Sequence, residues 1–339
     1  MSAVLHCALL LGCALAIYFA CEWFVNAVEW LGIRMQLGTI AIGSVLAAIG
    51  TALPESVVTL VAVTLGDSAE SKQIGIGAAL GGPLVLATIA YGVTGWMLFR
   101  RRRRRRLVGE IVGDPMAGVD LPRLARDQKW FLTIFVVKVS LGLVAFAIKP
   151  WLGLLFFAAY GAYFVREMRD DAQTHTDADL EPLKLQPGRS SPSGWAVLVQ
   201  TLVTLVIIFI ASEIFVAQLE WAGPALGLSA SVTALLLSPV ATELPEVMNA
   251  VIWVRQGKTS LALANISGAM MIQATVPSGL GLLFTPWLFD GPLLLSGLVT
   301  MAAIIYLLLL LHTHRFTPGR VAFAALFYAV FAAGLVLMA

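Results

Sequence analysis

Long hydrophobic segments separated by short polar ones run along the whole 339-residue chain. About twenty apolar residues cross the hydrocarbon core as a helix, and few of these segments show the alternation of outer-membrane β-strands. The pattern therefore predicts an all-α membrane protein with ten transmembrane helices. The predicted spans cover residues 4–30, 36–65, 74–99, 130–148, 150–166, 195–221, 229–254, 260–285, 291–311 and 320–338.

Composition agrees with this pattern. Hydrophobic residues make up 59% of the chain, charged residues only 12%, and the mean hydropathy is +0.88, whereas soluble domains carry about a quarter charged residues. The net charge of +2 is too small to imply an acidic partner, and no nucleic acid is expected. Cys7, Cys13 and Cys21 lie in the first apolar segment without a CxxC spacing, so neither disulfides nor zinc are predicted.

Basic residues predict the orientation of the spans, because Lys and Arg concentrate in cytoplasmic loops. With few exceptions they fall in alternate loops, which predicts both termini outside the cytoplasm and polar loops 100–129 and 167–194 inside it. We expect a bacterial inner (plasma) membrane protein. The arginine run 100–106 is interpreted as a topology anchor that also attracts anionic lipid.

The two halves of the chain are related by a constant offset of 191 residues. The segment "ACEWFVNAVEWLGI" is followed by "GTALPE", and "ASEIFVAQLEWAGP" is followed by "ATELPE". Five spans separate equivalent helices, so the copies cross in opposite directions, a recurrent plan of secondary transporters. The predicted organisation is a five-helix repeat over 1–166, a cytoplasmic linker over 167–194 and a second repeat over 195–339.

Each repeat carries a proline inside an apolar span, within motifs 50–55 and 241–246. Pro54 is expected to bend its helix and free the carbonyl of Gly50, and Pro245 to do the same at Ala241. Unsatisfied carbonyls persist in a membrane only where they face a protein cavity or an ion.

The same motifs place acids beside those carbonyls. Thr51 and Glu55 are four residues apart, as are Thr242 and Glu246, so hydroxyl and carboxylate share one helix face. Glu243, three residues before Glu246 and so near its helix face, adds a third carboxylate. Carboxylate, hydroxyl and carbonyl oxygens suit a hard cation such as Ca²⁺, so we expect a midplane cation site and no cofactor.

The motifs resemble the G-T-S-x-P-E signatures in the two α-repeats of the Ca²⁺/cation antiporter superfamily, which includes the sodium/calcium exchangers. The resemblance implies a sodium/calcium exchanger-like fold whose second, third, seventh and eighth spans line the ion path. It also implies Glu55 and Glu246 as central Ca²⁺ ligands, Thr51 and Thr242 as assisting ligands, and first and sixth spans that slide as a gate.

The chain departs from that family at several ligand positions. "GAALGGPLVL", residues 77–86, is apolar where the family places asparagines and serine, and "ANISGAMMIQ", residues 264–273, has Gln273 at the last asparagine position. The serine of each signature is replaced, by Ala52 and Glu243. Fewer neutral oxygens and an extra acid favour coupling to H⁺ over coupling to Na⁺.

Other charged residues in the spans leave alternatives open. Glu22 and Glu213 are repeat-equivalent and could relay protons or bond between helices. Lys138 in the fourth span is expected to snorkel or to pair with a carboxylate.

The predicted function is secondary antiport of Ca²⁺ or another cation against H⁺ or Na⁺, with membrane lipid and transported cations as partners. A membrane sensor or scaffold that kept the fold without transport is the alternative. An enzyme is not expected, because the acids form a symmetric pair rather than a distinct acid and base.

Overall fold

The computed structural model describes residues 3–34, 47–66, 68–107, 116, 118–171, 181–189 and 191–338. These residues are helical with short connections, and no strand occurs among them. The helices are α1 Ala3–Arg34, α2 Ala47–Thr64, α3 Ala69–Val85, α4 Tyr91–Leu107, α5 Leu121–Leu141, α6 Gly153–Asp171, α7 Gly194–Leu226, α8 Ala230–Thr242, α9 Leu244–Gln256, α10 Thr259–Phe284, α11 Gly291–His312, α12 Pro318–Ala322 and α13 Ala324–Met338.

The all-helical prediction is confirmed, and a helical segment lies over each of the ten predicted spans. Among the described residues, seven segments are long and apolar enough to cross a membrane. A π-helical turn over Leu86–Ala90 joins α3 to α4 in one of them. The described part of α2 is apolar but shorter than these seven segments. That all ten segments cross, with the halves inverted, stays a prediction.

The predicted end of the fourth span, 130–148, is wrong. Helix α5 stops at Leu141, and non-helical residues follow as far as Ile148, of which 143–148 are exposed. The helix ends where Gly142 meets Phe289, whose backbone N–H donates to the Gly142 carbonyl over 2.9 Å. A 3₁₀ turn over Lys149–Leu152 then leads into α6.

Short polar side chains fix where several helices begin. Ser68, Ser229 and Asp290 each accept a hydrogen bond from a backbone N–H in the first turn of α3, α8 and α11, which satisfies a donor that has no partner inside the helix. Gly227 and Gly257 end α7 and α9 with φ of 67° and 85°, a conformation that favours glycine.

The central helices of each half pack against helices of the other half. Helix α1 lies along α7, α3 lies along α8, and α2 lies along α10. Since α2 and α3 are the repeat equivalents of α8–α9 and α10, each half contributes one helix to each of the two central pairs. This exchange fits a two-fold relation between the halves, and it brings both proline motifs to the centre.

The glycine-rich segment of α3 explains its close approach to α8. A Cβ on Gly77 would collide with the Ser231 carbonyl oxygen, and a Cβ on Gly81 would lie 2.9 Å from the Leu235 carbonyl oxygen. Small residues four apart let helix backbones touch in a membrane. This face of α3 packs against α8, which carries the first residues of the second motif.

Ion pairs of the described residues lie at the predicted cytoplasmic end. Glu167 of α6 is buried and bonds to Arg123 and Arg126 of α5. Within the arginine run, Arg101 donates to the Val254 carbonyl at the end of α9 over 2.6 Å. One member of the run therefore holds two helices together.

The described part of the predicted linker lies against α1 and α7. Leu183 is buried with Ala27 of α1 and Val197 of α7, and the Asn26 side chain accepts from the backbone N–H of Lys184 over 2.9 Å. The linker prediction also needs a correction at its start, because α6 continues to Asp171.

Glu22 faces this linker rather than a neighbouring helix. Its carboxylate lies 3.5 Å from the Lys184 ammonium, and half of the side chain is exposed. Its equivalent Glu213 is exposed on α7. Neither residue points at the centre of the molecule.

A candidate cation site between the two proline motifs

The two motifs have different backbones. Helix α2 runs through Pro54 without interruption, whereas the second motif divides its helix, with α8 ending at Thr242 and α9 beginning at Leu244. Glu243 occupies the break, with φ −100° and ψ −9°. Its side chain is therefore not confined to either helix face.

The carboxylates of Glu55 and Glu243 meet beside Gly82 of α3. A Cβ on Gly82 would contact Glu55 Oε2 and would lie 2.9 Å from Glu243 Oε1. Both acids are buried, with exposures of 1% and 0%. Two like charges this close in a low-dielectric interior need a cation or a proton between them.

Two neutral side chains hold Glu243 in place. The Gln273 amide of α10 donates to Glu243 Oε2 over 2.6 Å, and the Thr242 hydroxyl donates to Glu243 Oε1 over 2.9 Å. All three side chains are buried. Because charge-assisted hydrogen bonds are short and directional, they orient this carboxylate toward Glu55.

Several buried polar atoms of α2, α8 and α10 lack a partner among the described residues. They include both oxygens of Glu55, the whole amide group of Asn265, Gln273 Oε1 and Ser238 Oγ. Buried polar atoms nearly always find a partner, and each exception calls for an explanation such as an ion. Oxygens of carboxylate, amide and hydroxyl groups match the ligands of hard cations.

The remaining predicted ligands lie elsewhere or outside the described side chains. Glu246 is buried in the first turn of α9 and interacts electrostatically with Cys21 of α1. The buried Ala241 is the next-to-last residue of α8. Gly50 and Thr51 belong to α2, and the Thr51 side chain lies outside the described part of the structure.

No three His, Cys, Asp or Glu side chains gather anywhere in the described part of the chain. The structure therefore brings together Glu55, Glu243, Thr242 and Gln273, and it does not join Glu246 to the two carboxylates as a compact triad. A site for a soft transition metal, which favours thiolate and imidazole ligands, does not fit these residues.

Lys138 neither snorkels nor forms a close ion pair with a carboxylate. Its ammonium is fully buried, donates to the Ala79 carbonyl of α3 over 2.9 Å and lies 4.7 Å from the centre of the Phe135 ring. It interacts electrostatically with Glu55.

The role of Gly82 was missed from sequence, because the residue was treated only as the loss of a polar ligand. The one signal in the sequence was the pair of glycines before Pro83. In the structure the second of them lies beside Glu243. The missing side chain of Gly82 leaves the space in which the two carboxylates meet.

Comparison with known proteins identifies the family. The sequence profile of the family described as sodium/calcium exchanger protein matches residues 5–168 and 196–338. The chain belongs to this family. The family and the fold are those of secondary transporters and not of enzymes, and the protein is an integral membrane protein.

Curated relatives match most of the chain. The inner membrane protein YrbG of Escherichia coli is 26% identical over 310 residues, which cover 89% of this chain and 87% of YrbG. The uncharacterized membrane protein MJ0091 of Methanocaldococcus jannaschii is 22% identical over 292 residues, covering 86% and 85%.

Solved structures share the fold. The H⁺/Ca²⁺ exchanger CAX superposes with a TM-score of 0.74 at 17% identity, over 98% of this chain and 86% of CAX. The sodium–calcium exchanger NCX_Mj, soaked with Na⁺ and Sr²⁺, superposes with a TM-score of 0.63 at 18% identity, over 98% and 99%. The sodium/calcium exchanger-like fold is confirmed.

Proposed function

We propose that the protein is a secondary cation antiporter that carries a divalent cation, with Ca²⁺ as the first candidate, in exchange for H⁺. The observation that carries this proposal is the buried pair of carboxylates, Glu55 and Glu243, which meet at the centre of an exchanger fold. Family membership supports cation exchange as the general activity.

The chemistry of the surrounding side chains supports a hard cation. Glu55 and Glu243 supply charge, and Gln273 Oε1 and Ser238 Oγ are buried oxygens without partners among the described residues. Ca²⁺ takes six to eight oxygens at about 2.3–2.6 Å, so freed backbone carbonyls of the two motifs would complete such a shell. Glu246, Thr242 and Thr51 stay proposed contributors.

The apolar character of residues 77–86 supports H⁺ as the coupling ion. Ala78 and Leu86 are buried and offer no side-chain oxygen to the centre. A Na⁺ ion needs a shell of several oxygens, whereas a carboxylate carries a proton by itself. The two exchanger structures with this fold are named for Na⁺ and for H⁺ coupling, so the fold itself is compatible with either ion.

Helices α1 and α7 are the proposed moving elements. They lie along each other and contact both α2 and α8, the helices that lead to the site. Sliding of this pair would open the site to one side of the membrane at a time, as alternating access requires.

Transport in liposomes tests the proposal. The full chain would be reconstituted, and uptake of labelled Ca²⁺ would be measured under a pH gradient without Na⁺, under a Na⁺ gradient, and with no gradient. We expect uptake under the pH gradient alone, loss of uptake in Glu55→Gln, and normal uptake in the exposed control Glu213→Gln. Uptake only under the Na⁺ gradient would overturn H⁺ coupling.

A panel of Mn²⁺, Mg²⁺ and K⁺ as competitors would define the transported ion. Absence of flux under every gradient would overturn the antiporter and support a non-transporting sensor or scaffold with this fold.

A further inference from the structure

A buried ammonium group next to a cation-binding centre needs a physical reason. Lys138 is fully buried in α5, and a charged side chain inside a membrane protein is expensive, so it marks function more often than packing. An apolar residue of similar length would fill the same volume without that penalty.

Position along α3 places this charge near the carboxylates. The Lys138 ammonium donates to the carbonyl of Ala79, and Ala79 precedes Gly82 by three residues, or about one helical turn. Gly82 is where Glu55 and Glu243 meet. Glu55 and Lys138 interact electrostatically, but no ion pair within 4 Å joins them among the described residues.

The other helices around Lys138 offer no competing acid. The sequence of α10 has no Asp, Glu, Lys, Arg or His, and α11 contributes only Tyr306 and His312. In α3 the acid Glu70 lies in the first turn, more than two turns from Ala79. The carboxylates that face this ammonium are those of the central site, and Glu55 is the one with which it interacts.

We infer that the Lys138 ammonium supplies a positive charge to the cation site, and that it sets how strongly the site distinguishes cations by their charge. This inference rests on the proposed cation site. Glu55 and Glu243 give the centre two buried acids, and one ammonium nearby reduces their full charge from minus two to minus one.

The inference predicts an effect that grows with the charge of the ion. Coulomb energy is proportional to the ion's charge, so removal of the ammonium tightens binding of trivalent ions more than divalent ions, and of divalent more than monovalent. With Lys138→Met we expect Kd to fall by about thirtyfold for Tb³⁺, about tenfold for Ca²⁺ and about threefold for Na⁺. A side chain with a purely structural role would change all three ions alike.

Binding to the purified full chain in detergent gives the measurement. Tb³⁺ luminescence, with Ca²⁺ and Na⁺ as competitors, would be recorded at about pH 6, where ordinary carboxylates are ionised and an ammonium keeps its proton. Lys138→Arg keeps the charge and should bind all three ions within about twofold of the unchanged chain. Thermal unfolding of each variant would separate loss of folding from a change in binding.

Each result has a clear meaning. Ordered effects in Lys138→Met that are absent in Lys138→Arg support the inference. Equal effects on the three ions, no effect, or the same effect in both variants would overturn it while the proposed function stands. A chain that binds no cation before substitution would overturn both. If Lys138→Met does not fold, Lys138→Gln takes its place under the same criteria.

Discussion

The two proline motifs resemble each other in sequence and differ in what they contribute to the centre. In the first, α2 continues through Pro54, and Ala52 is buried among apolar residues. In the second, the helix is divided, and Glu243, the repeat equivalent of Ala52, turns its carboxylate toward Glu55. One duplicated motif has therefore become a pair of unlike parts, and the divided helix lets an extra acid reach the site.

The largest expected effect comes from removing either facing carboxylate. Glu55→Gln and Glu243→Gln should each weaken Ca²⁺ binding by about 100-fold or more, since loss of one charged ligand costs about 3 kcal/mol. Ca²⁺ titration of the purified chain measures this. Glu246→Gln should have a smaller effect than Glu243→Gln, and the reverse order would show that the family position, and not the divided helix, supplies the main ligand.

Moving the acid from one motif to the other should not restore the site. In the double variant Ala52→Glu with Glu243→Ala, the new carboxylate lies in an apolar cluster, where a buried unpaired charge is costly. We expect Ca²⁺ binding to stay about 100-fold weaker than in the unchanged chain and the unfolding temperature to fall. Recovery of binding would mean that the motifs are interchangeable.

Filling the space between the carboxylates should reduce binding less severely. Gly82→Ala places a methyl group against Glu55 and Glu243, and overpacking of about 2 kcal/mol corresponds to about thirtyfold weaker binding. The matched control is Gly161→Ala in α6, where an added Cβ meets nothing within 4 Å. Equal affinities of the two variants would place the cation away from Gly82.

Removing a hydrogen bond that orients the Glu243 carboxylate should weaken Ca²⁺ binding moderately. Gln273→Leu removes the amide that donates to Glu243 Oε2, and a hydrogen bond to a charged group contributes about 1.5 kcal/mol, or about tenfold in affinity. The same titration would record it. An unchanged affinity would mean that Glu243 does not need this orientation.

The smallest effect is expected from the adjacent hydroxyl. Thr242→Val keeps the shape of the side chain and removes the donor to Glu243 Oε1, so Ca²⁺ affinity should fall by about threefold. A loss as large as that of Glu243→Gln would show that Thr242 binds the ion directly.

The all-helical fold could be predicted from sequence, because the length of the apolar segments follows from the chain alone. The orientation inferred from loop charge and the inversion of the two repeats stay predictions. Gln273 was expected near the motifs from its position at the end of the segment 264–273, and in the structure its amide donates to Glu243. Helix ends set by tertiary contacts were predicted less well: α5 stops where Gly142 meets Phe289, a contact between distant segments.

Side-chain direction could not be predicted in the same way. Glu243 was expected near the helix face of Glu246, and a helix break at Glu243 itself changed where its carboxylate points. Lys138 was expected to snorkel or pair with an acid, since sequence does not show that the Ala79 carbonyl lies within its reach.

The most direct test is a structure of the full chain with Sr²⁺, a heavier relative of Ca²⁺ that scatters anomalously. The account predicts an anomalous peak next to Gly82 that contacts a carboxylate oxygen of both Glu55 and Glu243 at about 2.5 Å. A peak bound to Glu246 without these two acids, or no peak between the motifs, would contradict it.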